Sequence, residues 1–379
     1  MAGLTERRSP TADDFWTWRE QMYRFVDRFD PDDVEAVAAM AFAEMLETGF
    51  TRVGEFHYLH HDPAGTPYAN PAELAVRIVA AASATGIGLT LLPVFYAHSN
   101  FGGLPPSHGQ RRFISTVDLF ARLVDASRHP GVVSGVAPHS LRAVTPDELR
   151  TVVALARPGE PIHIHAAEQT KEVADCLAWS GRRPVEWLLE DMELDARWCL
   201  IHATHTTPEE LTSLAARGIV VGLCPITEAN LGDGVFDTTT FQAGGGRFAV
   251  GTDSNVLIDV AGELRQLEYA QRLFTRRRNV LAADATPSVG RTLFDAALRN
   301  GSQALGVAGA GLAIGQPADV VTFTTDVGGD GLLDRWVFAA RIAPIESVWC
   351  RGRRVVGGGR HVHRDAIEQR YRAVLAKHL

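Results

Sequence analysis

Strand-like and helix-like segments alternate from about residue 31 to about residue 300, which predicts an α/β fold: a parallel sheet wrapped by helices. Two further observations narrow this to a (β/α) barrel. The ionisable residues gather just after the predicted strands, where barrels of this kind build their sites. A chain of 379 residues with 46% hydrophobic content has the length and the core for such a barrel as one unit.

The elements follow in order. Asp30 as cap and Pro31 in the first turn open a helix that runs through VEAVAAMAFAEMLETG and stops at Gly49. The strand FTRVGEF follows, then a helix in PAELAVRIVAAASATG, the strand IGLTLLPVFY and a helix in FISTVDLFARLVDAS. The strand VVSGVAP leads to His139, and Thr145 with Pro146 opens the helix TPDELRTVVALA. After the strand PIHIHAAE come the helix PVEWLLEDM, the strand WCLIHATH, the helix TPEELTSLAARG and the strand IVVGLCP. Beyond a glycine-rich loop the strand RFAVGTD ends at Asp253, and helices in AGELRQLEYAQRLF and RTLFDAALRNGSQAL close the series. Seven strands are predicted, near residues 51, 89, 133, 162, 199, 220 and 249, where a complete barrel has eight. The tail, GLAIGQPADVVTFTT with SVWCRGRRVVGGGRHV, reads as short strands joined by glycine turns. The expected organisation is a barrel over residues 1–305, a small flanking β-domain over 306–365 and a C-terminal helix over 366–379.

A formal charge of −8 without a basic stripe argues against nucleic-acid binding. Cys176, Cys199, Cys224 and Cys350 are scattered with no CxxC, so buried reduced cysteines are expected rather than disulfides or a thiolate zinc site. No apolar run approaches membrane-spanning length and the first residues lack an apolar signal core, so a cytoplasmic location is expected.

His163 and His165 alternate along one strand and therefore share a face, with Glu168 where the strand yields to its loop. Two imidazoles and a carboxylate there can hold a metal and move a proton; both histidines could equally be satisfied core residues. Glu55, His57 and Tyr58, then His139 and Arg142, then His202 and His205, then Asp253 and Asn255 occupy other strand ends. Five of the seven strand ends carrying such groups point to a functional site.

The ordered set HIHAAEQ, IHATH and GTDSN resembles the amidohydrolase superfamily. With EFHYLHHDPAGTPY, APHSLRAV and WTWREQMYRF, the resemblance narrows to the formimidoylglutamate deiminase family, which hydrolyses N-formimino-L-glutamate to N-formyl-L-glutamate and ammonia in histidine degradation. It spans essentially the whole chain and implies a metal-dependent hydrolase-type (β/α)8 TIM barrel with a flanking β-domain. It also implies one zinc ion per site, for which iron could substitute, a small-molecule substrate and a homodimer. His165 and Asp253 match metal ligands; Glu168, His202 and Asp253 match the catalytic groups. Arg19, Tyr58, His139 and Arg142 match positions that hold the substrate's formimino and glutamate groups. An arginine suits a carboxylate because its fork donates two parallel hydrogen bonds.

Simpler readings exist beside these. Arg19 could be a surface helix residue and Tyr58 a packing residue. Arg142, which follows a strand and a histidine, could also be structural. His57, His60 and His61 could suggest a second metal, but loop packing is the preferred reading. His361 and His363 form another H-x-H, read as surface decoration in the β-tail.

The resemblance also implies an H-x-H pair on the first barrel strand, supplying two further ligands, and no such pair stands in that place here. His163 and His165 are not that pair, since three predicted strands precede them and only three follow up to Asp253. The expectation is therefore that the first strand and the N-terminal part of the β-domain lie outside this chain. His165 and Asp253 fall short of the three protein ligands usual for catalytic zinc. On that ground this chain should bind zinc poorly and show little activity, and an N-terminally extended form should be active. The rival readings are a deaminase of the same superfamily acting on a heterocyclic base, and a non-catalytic barrel scaffold.

Overall fold

The computed structural model describes residues 15–283, 285–309, 311–339 and 344–378. The amphipathic helix α1 (Phe15–Val26) precedes α2 (Pro31–Thr48), which starts where Asp30 accepts a hydrogen bond from the Asp33 N–H and ends at a left-handed Gly49. The chain then alternates through β1 (Arg52–His57), α3 (Glu73–Thr85), β2 (Gly88–Phe95), α4 (Val117–Ser127), β3 (Val133–Ser134), β4 (Ala137–Pro138) and α5 (Pro146–Val153). It continues through β5 (Ile162–Ala166), α6 (Thr170–Ser180), α7 (Pro184–Asp191), β6 (Trp198–His202), α8 (Pro208–Ala216), β7 (Val220–Leu223), α9 (Pro225–Leu231), α10 (Thr238–Ala243), β8 (Arg247–Val250), α11 (Val260–Thr275) and α12 (Val289–Ala304).

β1 to β4 form one parallel sheet and β5 to β8 another, and parallel bridges from Val136 to Ile162 and from Ser140 to His165 join them. The seven predicted strand positions are thus one curved parallel sheet. Among the described residues no strand pairs with the outer edge of β1 or of β8. The predicted strand VVSGVAP is split at Gly135, where a Cβ would stand 2.5 Å from the Pro161 carbonyl oxygen; β3 and β4 are its two halves. Helices pack around the outside, so that β2 and β7 are buried along their whole length.

The end of α12 plugs the N-terminal mouth of the barrel. His163 Nε2 donates to the Ala304 carbonyl (2.7 Å) and Thr90 Oγ1 to the Leu305 carbonyl (2.8 Å). Gly54 is needed there, because a Cβ would come within 2.6 Å of the Leu305 side chain.

The tail adds β9 (Val320–Phe323), α13 (Asp330–Phe338), β10 (Ile345–Cys350), β11 (Arg353–Gly357), β12 (Arg360–His361) and α14 (Arg364–His378), its strands forming an antiparallel sheet in the order β12-β11-β10-β9. Val348, Val355 and Val356 share a core with Leu46 of α2 and Ile78 of α3, so this sheet packs on the barrel's outer helices. His361 corrects the surface reading: it is 3% exposed, and its Nε2 donates to the Thr85 carbonyl at the end of α3. His363 is exposed. The four cysteines are free and buried.

Candidate active site

The polar cluster lies at the opposite mouth, beyond the C-terminal ends of the strands. The backbone there is unusual. Ala167, His202, Ala203, Asp253 and Asn255 all have positive φ, a region non-glycine residues rarely occupy. Each lies within a few residues of the end of β5, β6 or β8, and such conformations concentrate at sites whose surroundings over-determine them.

His165 ends the inward face of β5. Its Nδ1 donates to the His139 carbonyl (3.0 Å), so Nε2 is the nitrogen left with a free lone pair when the ring is neutral. Burial pushes its pKa down to about 3, which keeps it neutral. Its ring packs edge-on against Phe56 at 4.5 Å and stacks with His202 at 5.5 Å.

His202, fully buried at the end of β6, is the centre of the cluster. Nδ1 donates to Glu228 Oε1 (3.1 Å); Nε2 has no hydrogen-bond partner and lies 3.8 Å from Glu168 Oε1 and 3.9 Å from Asp253 Oδ2. Burial opposes charge on this ring, but the Glu168 carboxylate, the Glu228 hydrogen bond and Asp253 outweigh it and raise the pKa to about 10. His202 therefore stands as a cation among carboxylates.

Glu168 is 5% exposed, and burial raises its pKa while His202 and Arg142 oppose the rise. Arg142 Nη2 approaches its Oε2 at 3.6 Å. The turn that carries Glu168 is held by Glu172, whose two oxygens accept from the backbone N–H groups of Ala167 and Glu168 (both 3.1 Å). Asp253 is about one-third open (33%), facing the mouth.

The structure also brings the expected substrate-side residues to this mouth. The His139 ring is 4.9 Å from that of His165 and 4.5 Å from that of Tyr96. The Tyr58 hydroxyl meets the Met22 sulfur of α1 at 3.8 Å, and its ring packs on Phe113. Arg19 lies over the Tyr23 ring (5.8 Å) on the same helix, close enough for its charge to help depress His139. The histidine loop is held by packing: His60 donates to Val94 O and His61 to Ile114 O.

Sequence reading missed Glu172, Glu228, Asp233 and Glu263. Asp233 accepts a short hydrogen bond from the Gln169 side chain, and burial with the nearby Glu168 charge raises it to about 7. Glu263 accepts from the Ile226 N–H (2.9 Å), and burial pushes it up to about 9. Only the carboxylate excess around His202 could have flagged them, and that excess exists in space rather than along the chain.

The donor set bears on a divalent metal. His165 offers Nε2 and Asp253 an open carboxylate, while the charged His202 ring stands beside them as a donor of hydrogen bonds rather than a ligand; His165 carries the carbonyl partner typical of metal-binding histidines. Among the described residues no three His, Cys, Asp or Glu side chains converge as a complete metal site. The set fits a metal as part of its coordination.

The profile of the amidohydrolase family matches residues 4–355. The chain is 50% identical over 387 aligned residues to a formimidoylglutamate deiminase of Pseudomonas aeruginosa, covering 100% of this chain and 85% of that protein. It is 27% identical to an 8-oxoguanine deaminase of the same organism, over 85% of this chain and 71% of the relative. Among solved structures, an amidohydrolase from Brucella melitensis superposes with a TM-score of 0.97 at 56% identity, covering 100% of this chain and 86% of the other. An adenosine deaminase from Xanthomonas campestris with bound zinc shares the fold alone, with a TM-score of 0.80 at 22% identity over 100% and 83% of the two chains.

Proposed function

The chain belongs to the amidohydrolase family, and from that premise we propose that it hydrolyses the C–N bond of N-formimino-L-glutamate, giving N-formyl-L-glutamate and ammonia. The observation that carries the reading is the similarity, along the whole of this chain, to a formimidoylglutamate deiminase. The pairing of Glu168 with Arg142 beside His202 supports it. The reading includes a role in histidine degradation, a homodimeric state and a cytoplasmic location. Among the described residues no helix is long and apolar enough to cross a membrane.

His165 and Asp253 would hold the metal, with zinc the first choice and iron an alternative that the same donors serve. When bound, such an ion supplies Lewis acidity and brings the pKa of water into the neutral range. His202, held as a cation, stabilises negative charge developing near its Nε2. Glu168, whose carboxyl burial pushes above the usual carboxylate range, delivers a proton to the departing nitrogen so that it leaves as ammonia. Arg142 and Arg19 bind the two carboxylates of the glutamate moiety, and Tyr58 and His139 orient the formimino group.

The test is ammonia release by the purified chain from N-formimino-L-glutamate, guanine and cytosine, before and after chelation and with zinc restored. Release from N-formimino-L-glutamate alone, lost on chelation and regained with zinc, is the outcome this reading predicts, and it would overturn the expectation that His165 and Asp253 are too few ligands for activity. Release only from the ring substrates would overturn the assignment in favour of a heterocycle deaminase.

A further inference from the structure

Glu228 lies in the first turn of α9, directly beyond β7, and is 7% exposed. Its Oε1 accepts two hydrogen bonds, from the Cys224 backbone N–H (2.8 Å) and from His202 Nδ1 (3.1 Å). The helix that carries it is clamped on both sides. The Ile226 N–H donates to Glu263, while Thr227 Oγ1 donates to the Thr252 carbonyl (3.1 Å) and meets Ser254 Oγ at 2.9 Å, on the loop that presents Asp253. The Glu228 oxygen is therefore a fixed point relative to the strand end of β8. His202 needs such a point, because its own backbone has φ 66°, outside the usual range for a histidine, and its Nε2 has no partner to orient the ring.

We infer that Glu228 is a positioning residue for His202: its carboxylate holds the Nδ1–H and thereby keeps Nε2 aimed between Glu168 and Asp253. A flipped ring would give up the Glu228 bond and turn its nitrogens away from both carboxylates. Carboxylate and carbonyl partners fix histidine tautomer and orientation in the same way elsewhere, and removing them lowers activity about 10- to 100-fold. The kinetic consequence rests on the proposed deimination; the geometric consequence does not.

Two variants and two readouts test this on the full chain. Glu228→Gln keeps an oxygen for both hydrogen bonds, whereas Glu228→Ala removes it. In proton NMR, a downfield exchangeable resonance from the His202 Nδ1–H, identified by its loss in His202→Asn, is expected in wild type and Glu228→Gln and absent in Glu228→Ala. In the ammonia assay, Glu228→Ala should lose about 10- to 100-fold in kcat with KM changed less than about twofold, and Glu228→Gln should recover most of that loss. Persistence of the resonance in Glu228→Ala would overturn the inference. So would a Glu228→Gln enzyme as slow as Glu228→Ala, or an effect confined to KM. Should wild type release no ammonia from N-formimino-L-glutamate, the functional reading fails, and the resonance still decides the role of Glu228.

Discussion

Replacing Glu172 should loosen the turn that carries the proposed proton carrier. Its carboxylate is 1% exposed and accepts from two consecutive backbone N–H groups, Ala167 and Glu168, at 3.1 Å each. Ala167 is itself left-handed, with φ 51°, so the turn depends on external hydrogen bonds to hold it. A hydrogen bond to a charged group contributes about 1.5–3 kcal/mol, and a buried donor left unpaired costs about 1–3 kcal/mol. The two bonds share one carboxylate, so their losses are not additive. Glu172→Ala should therefore destabilise the protein by about 3–5 kcal/mol. Glu172→Gln should cost about half that, because one oxygen remains while the amide N–H₂ faces a second donor. Urea unfolding followed by tryptophan fluorescence measures the stability change, and ammonia release measures kcat. Both kcat and KM should change, because Glu168 is displaced and Arg142 loses the Glu172 carboxylate beside it. If Glu172→Ala unfolds within about 1 kcal/mol of wild type, the turn is held by something else and the reasoning is refuted.

Three further outcomes are expected. His57 is 4% exposed and burial pushes its pKa down to about 4 against about 6.5 unfolded, so the unfolded chain binds the proton first as pH falls. The stability present above pH 6.5 should drop by about 3 kcal/mol between pH 6.5 and 4 through this group alone. Unfolding curves of His57→Gln across that range should lack this share of the slope, and parallel curves would exclude it. Gly54→Ala places a Cβ 2.6 Å from the Leu305 side chain and should cost about 1–3 kcal/mol in a thermal melt; an unchanged melting temperature would show that the plug yields freely. Arg142→Lys replaces a bidentate fork by a point charge and should raise KM for N-formimino-L-glutamate by about tenfold or more, whereas an unchanged KM would remove Arg142 from substrate binding.

The strands of the barrel were legible as short apolar runs between helices, five of the seven leading into ionisable residues, and most helices announced themselves by caps such as Asp30, Thr145 and Thr207. α6 was overlooked because Gln169 at its start makes no capping bond, and α9 because it starts after Cys224 rather than a capping side chain. α10, inside the glycine-rich stretch, is only six residues long. His165, Glu168, His202 and Asp253 were visible as strand-end residues. Glu172, Glu228 and Glu263 look like ordinary helical glutamates until the fold turns them inward. His361 shows the same limit in reverse: nothing beside it in sequence reveals that the end of α3 covers it.

The plug at the barrel's lower mouth ties synthesis to shape. Thr90 finds its carbonyl partner 215 residues further along the chain, and His163 finds its own 141 residues on. A ribosome making this protein completes all seven sheet positions, apolar faces included, well before the residues that stopper them exist. Closure is a late, long-range event, and such contacts slow folding and prolong the exposure of sticky intermediates. Chains cut short before Ala304 should therefore depend on chaperones and aggregate, even with every residue of the chemical mouth already in place.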